Sequence, residues 1–332
     1  MSTTQRPRVG VIGLGSMGMG MATSLVKAGF ETWGCDLRPE ARASFTGVGG
    51  RAVATPAEMA AAVEIVLTVV VNAEQTRAVL FGDDGLLPGL APDSLVISCA
   101  TCAPDVVQAL GVDLAAHGIH LLDAPISGGS VKAAAGQLTI MASGPGALFA
   151  RAENVLDALA AKVFRLGDGL GQGSQVKLVN QLLAGVHIAA AAEAMAYGIR
   201  GGCDPQTLYE VITQSAGNSW MFENRVPHIL AGDYTPHSAV DIFVKDLGIV
   251  HDTAHRDKFP LPLTAQALSQ FTLASAQGLG REDDSAVVKV YPGITLPGTA
   301  ANDAGFGNGD DSGNGPDLDD GPNADPNDHG GA

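Results

Sequence analysis

The chain has 332 residues, enough for two domains of ordinary size and a substantial buried core. Hydrophobic residues make up 46%, aromatics only 5%, and 43 residues are glycine, which suits an α/β protein and excludes a disulfide scaffold or a wholly disordered chain. A formal charge of −16 weighs against nucleic acid and anionic membranes as partners. No run is expected to span a bilayer without the help of small residues, and the N-terminus leads straight into a predicted strand with no secretory signal. Cys35, Cys99, Cys102 and Cys203 are scattered. Cys99 and Cys102 have C-x-x-C spacing without a second pair to complete a zinc site, so reduced thiols, a cytoplasmic location and no metal are expected.

Strands are predicted at residues 8–13, 31–36, 65–71, 95–98 and 119–123, with helices near 19–28, 39–45, 74–80 and 104–117. Such alternation predicts a parallel sheet covered on both faces, a doubly wound Rossmann-type domain. Strands at 138–142 and 162–165, around a helix near 147–159, are expected to extend it. From residue 175 to about 290 helical periodicity takes over, broken at Gly201-Gly202, Ala216-Gly217, Gly232 and Phe259-Pro260. The expected organisation is an NAD-binding domain over 1–170, an all-helical domain over 171–295 and a disordered acidic tail over 296–332. Asp303, Asp310, Asp311, Asp317, Asp319, Asp320, Asp325 and Asp328 lie in that tail, half of the net charge.

Gly13-Leu14-Gly15-Ser16-Met17-Gly18 stands between a predicted strand and a predicted helix. Gly13 permits the tight turn, Gly15 lets backbone approach a pyrophosphate, and Gly18 lets helix and strand pack closely. The helix N-terminus adds N–H donors for the phosphates. Asp36 closes the next strand, 18 residues beyond Gly18, where a carboxylate would bind the adenosine ribose and repel a 2′-phosphate. NAD is favoured as cofactor, although Arg38 nearby could meet a phosphate.

Val71 and Asn72 end one strand, and Thr101 follows just after another, at the same edge of the sheet. Ser127-Gly128-Gly129 follows another, and is either a plain turn or a site whose hydroxyl and N–H groups hold a substrate carboxylate. Lys245 and Asp246 could form an exposed ion pair on a later helix, and residues 218–224 form a polar and aromatic cluster able to close over a substrate. His251 and His255, at i and i+4, read as solvated helix residues.

The most unusual residue is Lys177, near the start of the long helix that follows Gly171 and Gly173, with Ser174 as expected cap. A cation is disfavoured at that end of a helix. Asn180 and Gln181 share its face at i+3 and i+4. The group is either a snorkelling lysine beside two surface amides or a functional constellation.

Four stretches together, 11–22, Asp123-Ala124-Pro125-Ile126-Ser127-Gly128-Gly129, 171–180 and Lys245-Asp246-Leu247, resemble the β-hydroxyacid dehydrogenases, over residues 8–289. The resemblance implies Lys177 as catalytic residue, Ser127, Gly128 and Gly129 on the substrate carboxylate, Asn180 and Gln181 on the substrate, and Thr101 and Lys245 at the cofactor. The family usually has a second asparagine where this chain has Gln181. With 180–187, 215–234 and 281–285, this resembles the branch that oxidises the C2 hydroxyl of a four-carbon sugar acid, L-threonate, with NAD. Partners implied are a small hydroxy acid and a second copy, as homodimer or homotetramer. The alternatives are another dehydrogenase of the family, acting on 3-hydroxyisobutyrate or tartronate semialdehyde, and a non-catalytic dinucleotide-binding module. The mechanism requires Lys177 to be neutral part of the time, hence a lowered pKa from burial and from the helix N-terminus.

Overall fold

The computed structural model describes residues 6–298; the acidic tail lies outside them from residue 299 onward. Six short strands, β1 Val9–Ile12, β2 Thr32–Cys35, β3 Arg51–Val53, β4 Ile65–Thr68, β5 Leu95–Ser98 and β6 His120–Asp123, form one all-parallel sheet in the order β3-β2-β1-β4-β5-β6. Helices α1 Ser16–Lys27, α2 Pro39–Gly47, α3 Ala57–Ala60, α4 Ala73–Phe81 and α5 Pro104–Ala115 connect them. Because side chains alternate along a strand, each central strand feeds two cores. Val9, Val11, Leu67 and Ile97 pack on one face with Met21 and Leu25 of α1, while Ile12, Val66 and Val96 pack on the other with Leu110 and Leu114 of α5. β3 and α3 were not legible in the sequence: β3 is a three-residue edge strand beginning on an exposed residue, so no apolar run marks it.

The strands expected to extend this sheet do not. β7 Ile126–Ser127, α6 Gly129–Ala134, β8 Leu138–Ala142, α7 Gly146–Leu159 and β9 Ala160–Arg165 build a separate three-stranded sheet, with β7 antiparallel and β9 parallel to β8. One bridge, Asp123 to Ser143, joins it to β6. Pro125 has no N–H to continue a ladder, so the chain leaves the first sheet there, and its carbonyl accepts instead from Met141 N at 2.9 Å.

The second half is helical: α8 Gln172–Arg200, α9 Pro205–Thr213, α10 Trp220–Ala231, α11 Val240–Arg256 and α12 Pro262–Ala274. The breaks fall between them; Gly232, left-handed at φ 63°, closes α10. By length and composition α8 could cross a membrane, but it is the central rod of this domain, packed against α10, α11 and α12. Isolated backbone pairing of Ala239 with Asp283 is the nearest thing to a strand here. From α10, Arg225 holds Asp284 in a two-pronged ion pair of 2.5 and 3.1 Å; Asp284 is fully buried. Gly185 allows Leu247 of α11 to approach α8, since a Cβ there would stand 2.8 Å from the leucine methyls. That contact seats α11 one turn beyond Gln181.

Candidate active site

The glycine loop sits where β1 gives way to α1. Gly13 has φ 92°, and a Cβ at Gly13 or Gly18 would overlap the carbonyl oxygens of Val69 and Gly13 respectively. Gly15 caps α1 and faces open space, with nothing within 4 Å of where its Cβ would be, and Ser16 and Met17 begin the helix. Leu14 N donates to Asp36 Oδ2 at 2.8 Å, which ties the loop to the carboxylate at the end of β2. Arg38 donates to Asp36 Oδ1 through its backbone N at 2.9 Å and its Nε at 3.1 Å. Burial pushes the Asp36 carboxyl up, but these hydrogen bonds prevail and hold it below the usual range. The N-terminal end of α1, the open space beside Gly15 and a fixed carboxylate fit the phosphates and ribose of a dinucleotide.

Val71 N and the Asn72 side chain are both occupied by Gln75: Val71 N donates to Gln75 Oε1 at 2.9 Å, and Asn72 Oδ1 caps α4 by accepting from Gln75 N at 2.8 Å. Thr101 is half-buried in the loop after β5. Its neighbour Cys102 has its thiol pushed up to about 11 by burial, against the charge of Lys245, so the loop lies within electrostatic reach of α11. Ser127 ends β7 and pairs with Thr139 of β8. Gly128 and Gly129 have φ of 137° and 76°, and Gly129 opens a short helix rather than a free loop.

The start of α8 differs from expectation. Ser174 is not its cap: the helix begins at Gln172 with left-handed Gly171 at φ 94°, and the cap comes from another element. Asp123 Oδ2 accepts from Gly171 N at 3.1 Å and Ser174 N at 2.8 Å, and Oδ1 from Ser174 Oγ at 2.8 Å. Ser143 Oγ accepts from Gly173 N at 2.9 Å. A Cβ on Gly173 would overlap Met141 O, so only glycine lets α8 sit this close to β8. A carboxylate on the first N–H groups offsets the positive helix end.

Lys177 is 7% exposed and donates from Nζ to Gln181 Oε1 at 2.8 Å. Asn180 Nδ2 donates to the same oxygen at 3.0 Å. Gln181 Nε2 in turn donates to Asp246 Oδ2 at 2.5 Å, and the Lys245 ammonium stands 2.5 Å from Asp246 Oδ1. The surface pair expected at Lys245 and Asp246 is thus a half-buried lysine on a carboxylate only 2% exposed. Burial lowers the Lys177 pKa to about 8; Asp246 pulls it back up and Lys245 pushes it down. The snorkelling alternative fails, because this lysine is enclosed to its tip. The roles of Asp123 and Asp246 are not legible in the sequence, although both stand in the motifs shared with the β-hydroxyacid dehydrogenases; only the folded contacts show what they hold.

In the cluster at 218–224, Ser219 caps α10, Asn218 Nδ2 donates to Glu223 Oε1 at 2.5 Å, and Trp220 is exposed. His251 and His255 stack at 6.3 Å on α11.

A dinucleotide loop on a parallel sheet, followed by a helical domain presenting a buried lysine of lowered pKa, defines a nicotinamide-dependent dehydrogenase. Residues 8–167 match the model of the NAD binding domain of 6-phosphogluconate dehydrogenase, and residues 171–291 that of the NAD-binding of NADP-dependent 3-hydroxyisobutyrate dehydrogenase. The chain belongs to the 3-hydroxyisobutyrate dehydrogenase family, and is an NAD-dependent hydroxy-acid dehydrogenase. It is 61% identical to the L-threonate dehydrogenase of Cupriavidus necator over 88% of this chain and 98% of that one. Identity to the L-threonate dehydrogenase of Escherichia coli K12 is 52%, over 90% and 99%. The crystal structure of a 3-hydroxyisobutyrate dehydrogenase from Salmonella typhimurium superposes with a TM-score of 0.82 at 53% identity, covering 86% of this chain and 99% of that one.

Proposed function

We propose that the chain oxidises L-threonate at C2 with NAD, yielding the 2-oxo acid. The observation that carries the chemistry is Lys177: an enclosed amine with a pKa near 8 is part neutral at working pH and can take a proton. The substrate assignment is supported by 61% and 52% identity to two L-threonate dehydrogenases over almost their whole length.

NAD, when bound, accepts the hydride that leaves C2. In this reading the loop from Gly13 through Leu14, Gly15, Ser16, Met17 and Gly18 holds its phosphates, Asp36 its ribose, and Val71, Asn72, Thr101 and Lys245 border its nicotinamide half. The Asp36 carboxylate favours NAD over NADP by charge repulsion. Ser127 and the Gly128 and Gly129 amides hold the substrate carboxylate. Asn180 orients the hydroxyls, with Gln181 beside it. Lys177 Nζ takes the proton of the C2 hydroxyl as the C–H bond breaks, so the alcohol loses one proton and one hydride and becomes a ketone. In the reverse direction Lys177 returns the proton.

The domain limits of 1–170 and 171–295 and a cytoplasmic location belong to the same proposal. So does a homodimer or homotetramer: α8 turns Val176, Val179 and Leu183 outward at i, i+3 and i+7, a stripe suited to a second copy.

The test is NADH formation with L-threonate, erythronate, glycerate and 3-hydroxyisobutyrate in parallel. L-Threonate is expected to give the highest kcat/KM. A higher value for 3-hydroxyisobutyrate, the substrate in the name of the Salmonella relative, overturns the assignment. Lys177→Ala should cut kcat by orders of magnitude with NAD affinity retained; near-normal turnover refutes the role of Lys177.

A further inference from the structure

Gln181 has no free end. Its Oε1 accepts from both Lys177 and Asn180, and its Nε2 donates to Asp246, so both ends of the amide are engaged within the protein. Its side chain is 8% exposed. A group in that condition is poorly placed to read a substrate and well placed to hold its neighbours.

We propose that Gln181 is the positioning residue of this site: its carboxamide aims the Lys177 amine and keeps the buried Asp246 carboxylate one amide away from it. This deepens the role of Lys177 as proton carrier and rests on it. Direct contact with a carboxylate would favour the ammonium and leave little base. With no anion nearby, a buried amine would not hold a proton for the return reaction. The amide spacer sets a middle course, and its length matters. Asparagine, shorter by one carbon–carbon bond of about 1.5 Å, would give up either the Lys177 or the Asp246 contact. The charges acting on Lys177 among the described residues are Asp246 and Lys245, both from α11. Asp123, from β6, is engaged by the first turn of α8, and the Cys102 thiol after β5 is neutral with its pKa near 11.

Two substitutions should move Lys177 in opposite directions. Gln181→Glu removes the donor to Asp246, so the two carboxyls must share a proton. With that proton on Asp246, the negative charge moves onto the introduced carboxylate against the ammonium and should raise the Lys177 pKa by about one unit or more, since an opposite charge within ~4–6 Å shifts a pKa by ~1–3 units. Asp246→Asn removes the anion, frees the Lys245 charge and should lower it. Both are read twice: in the pH dependence of kcat, and in the pH dependence of Lys177 acetylation in the NAD-free enzyme, followed by mass spectrometry. Gln181→Asn should reduce kcat at least tenfold with KM for L-threonate little changed. Thermal melts identify any variant that has not folded, and Asp246→Asn, nearly identical in shape, then carries the test. Unmoved labelling midpoints, or movement in the same direction, overturn the proposal, as does a Gln181→Asn variant that raises KM alone. Should the midpoints move as expected while Lys177→Ala keeps its turnover, the proton-carrier reading fails and the coupling stands.

Discussion

The Arg225–Asp284 pair offers a measurement whose size and pH dependence both follow from the structure. Arg225 is 9% exposed and Asp284 not at all, and the guanidinium grips both carboxylate oxygens. Breaking a buried pair by removing one partner costs about 3–5 kcal/mol, because the survivor is left charged in a dry site. Arg225→Met should therefore lower the melting temperature by roughly 6–20 °C, at ~2–4 °C per kcal/mol for a chain of this size. Burial already raises the Asp284 carboxyl to about 6 with the arginine in place. Since its folded pKa lies above the unfolded one, stability falls as pH rises between the two. Without Arg225 the folded pKa climbs further and the loss extends to higher pH. The deficit of the variant, measured by urea unfolding, should shrink by roughly 1.4 kcal/mol for each pH unit moved down from 8 towards 6, as the carboxyl takes up its proton. Arg225→Met with Asp284→Leu should recover most of the loss, since an apolar pair of similar volume is about as stable. A deficit under about 1 kcal/mol, one indifferent to pH, or a double variant no better than the single would refute the reasoning.

Three further outcomes bear on the site. Gly18→Ala must push α1 away from the Gly13 carbonyl, so the dissociation constant for NAD, from fluorescence titration, should rise at least tenfold; an unchanged value would mean that the loop can shift freely. Asp36→Asn should weaken NAD and strengthen NADP in the same titration, because it removes the charge facing a 2′-phosphate and releases Arg38; loss of both cofactors alike would contradict this. For the unaltered enzyme, kcat for oxidation should fall about tenfold per pH unit below the Lys177 pKa near 8. A flat profile from pH 6 to 8 would show that another group sets the rate.

The legible parts of the fold were those written in local pattern. β1, β4 and β5 are short, mostly apolar four-residue strands, and α8 announces itself through its long run rich in helix formers. The elements that escaped were short, like β3, or depended on where the chain went next, like β7 and β8, which Pro125 turns into a sheet of their own. At the site, Gly13, Gly18 and Asp36 carry their reasons in spacing. Lys177 stood out as a cation in an unlikely place, and its depressed pKa follows as expected, with burial as the largest cause. Asp123 and Asp246 act across 51 and 65 residues of sequence, distances over which no periodicity speaks.

The cap on α8 has a bearing on how such enzymes can be recombined. The two family models meet near residue 170, which makes that junction an inviting crossover point for chimeras. Yet the donors at Gly171, Gly173 and Ser174 lie on one side of it, and their acceptors, Asp123 and Ser143, on the other. A graft that takes α8 from one parent inherits its lysine but not the seat that aims it. The unit of exchange that keeps the site intact runs back to β6, and includes the small second sheet.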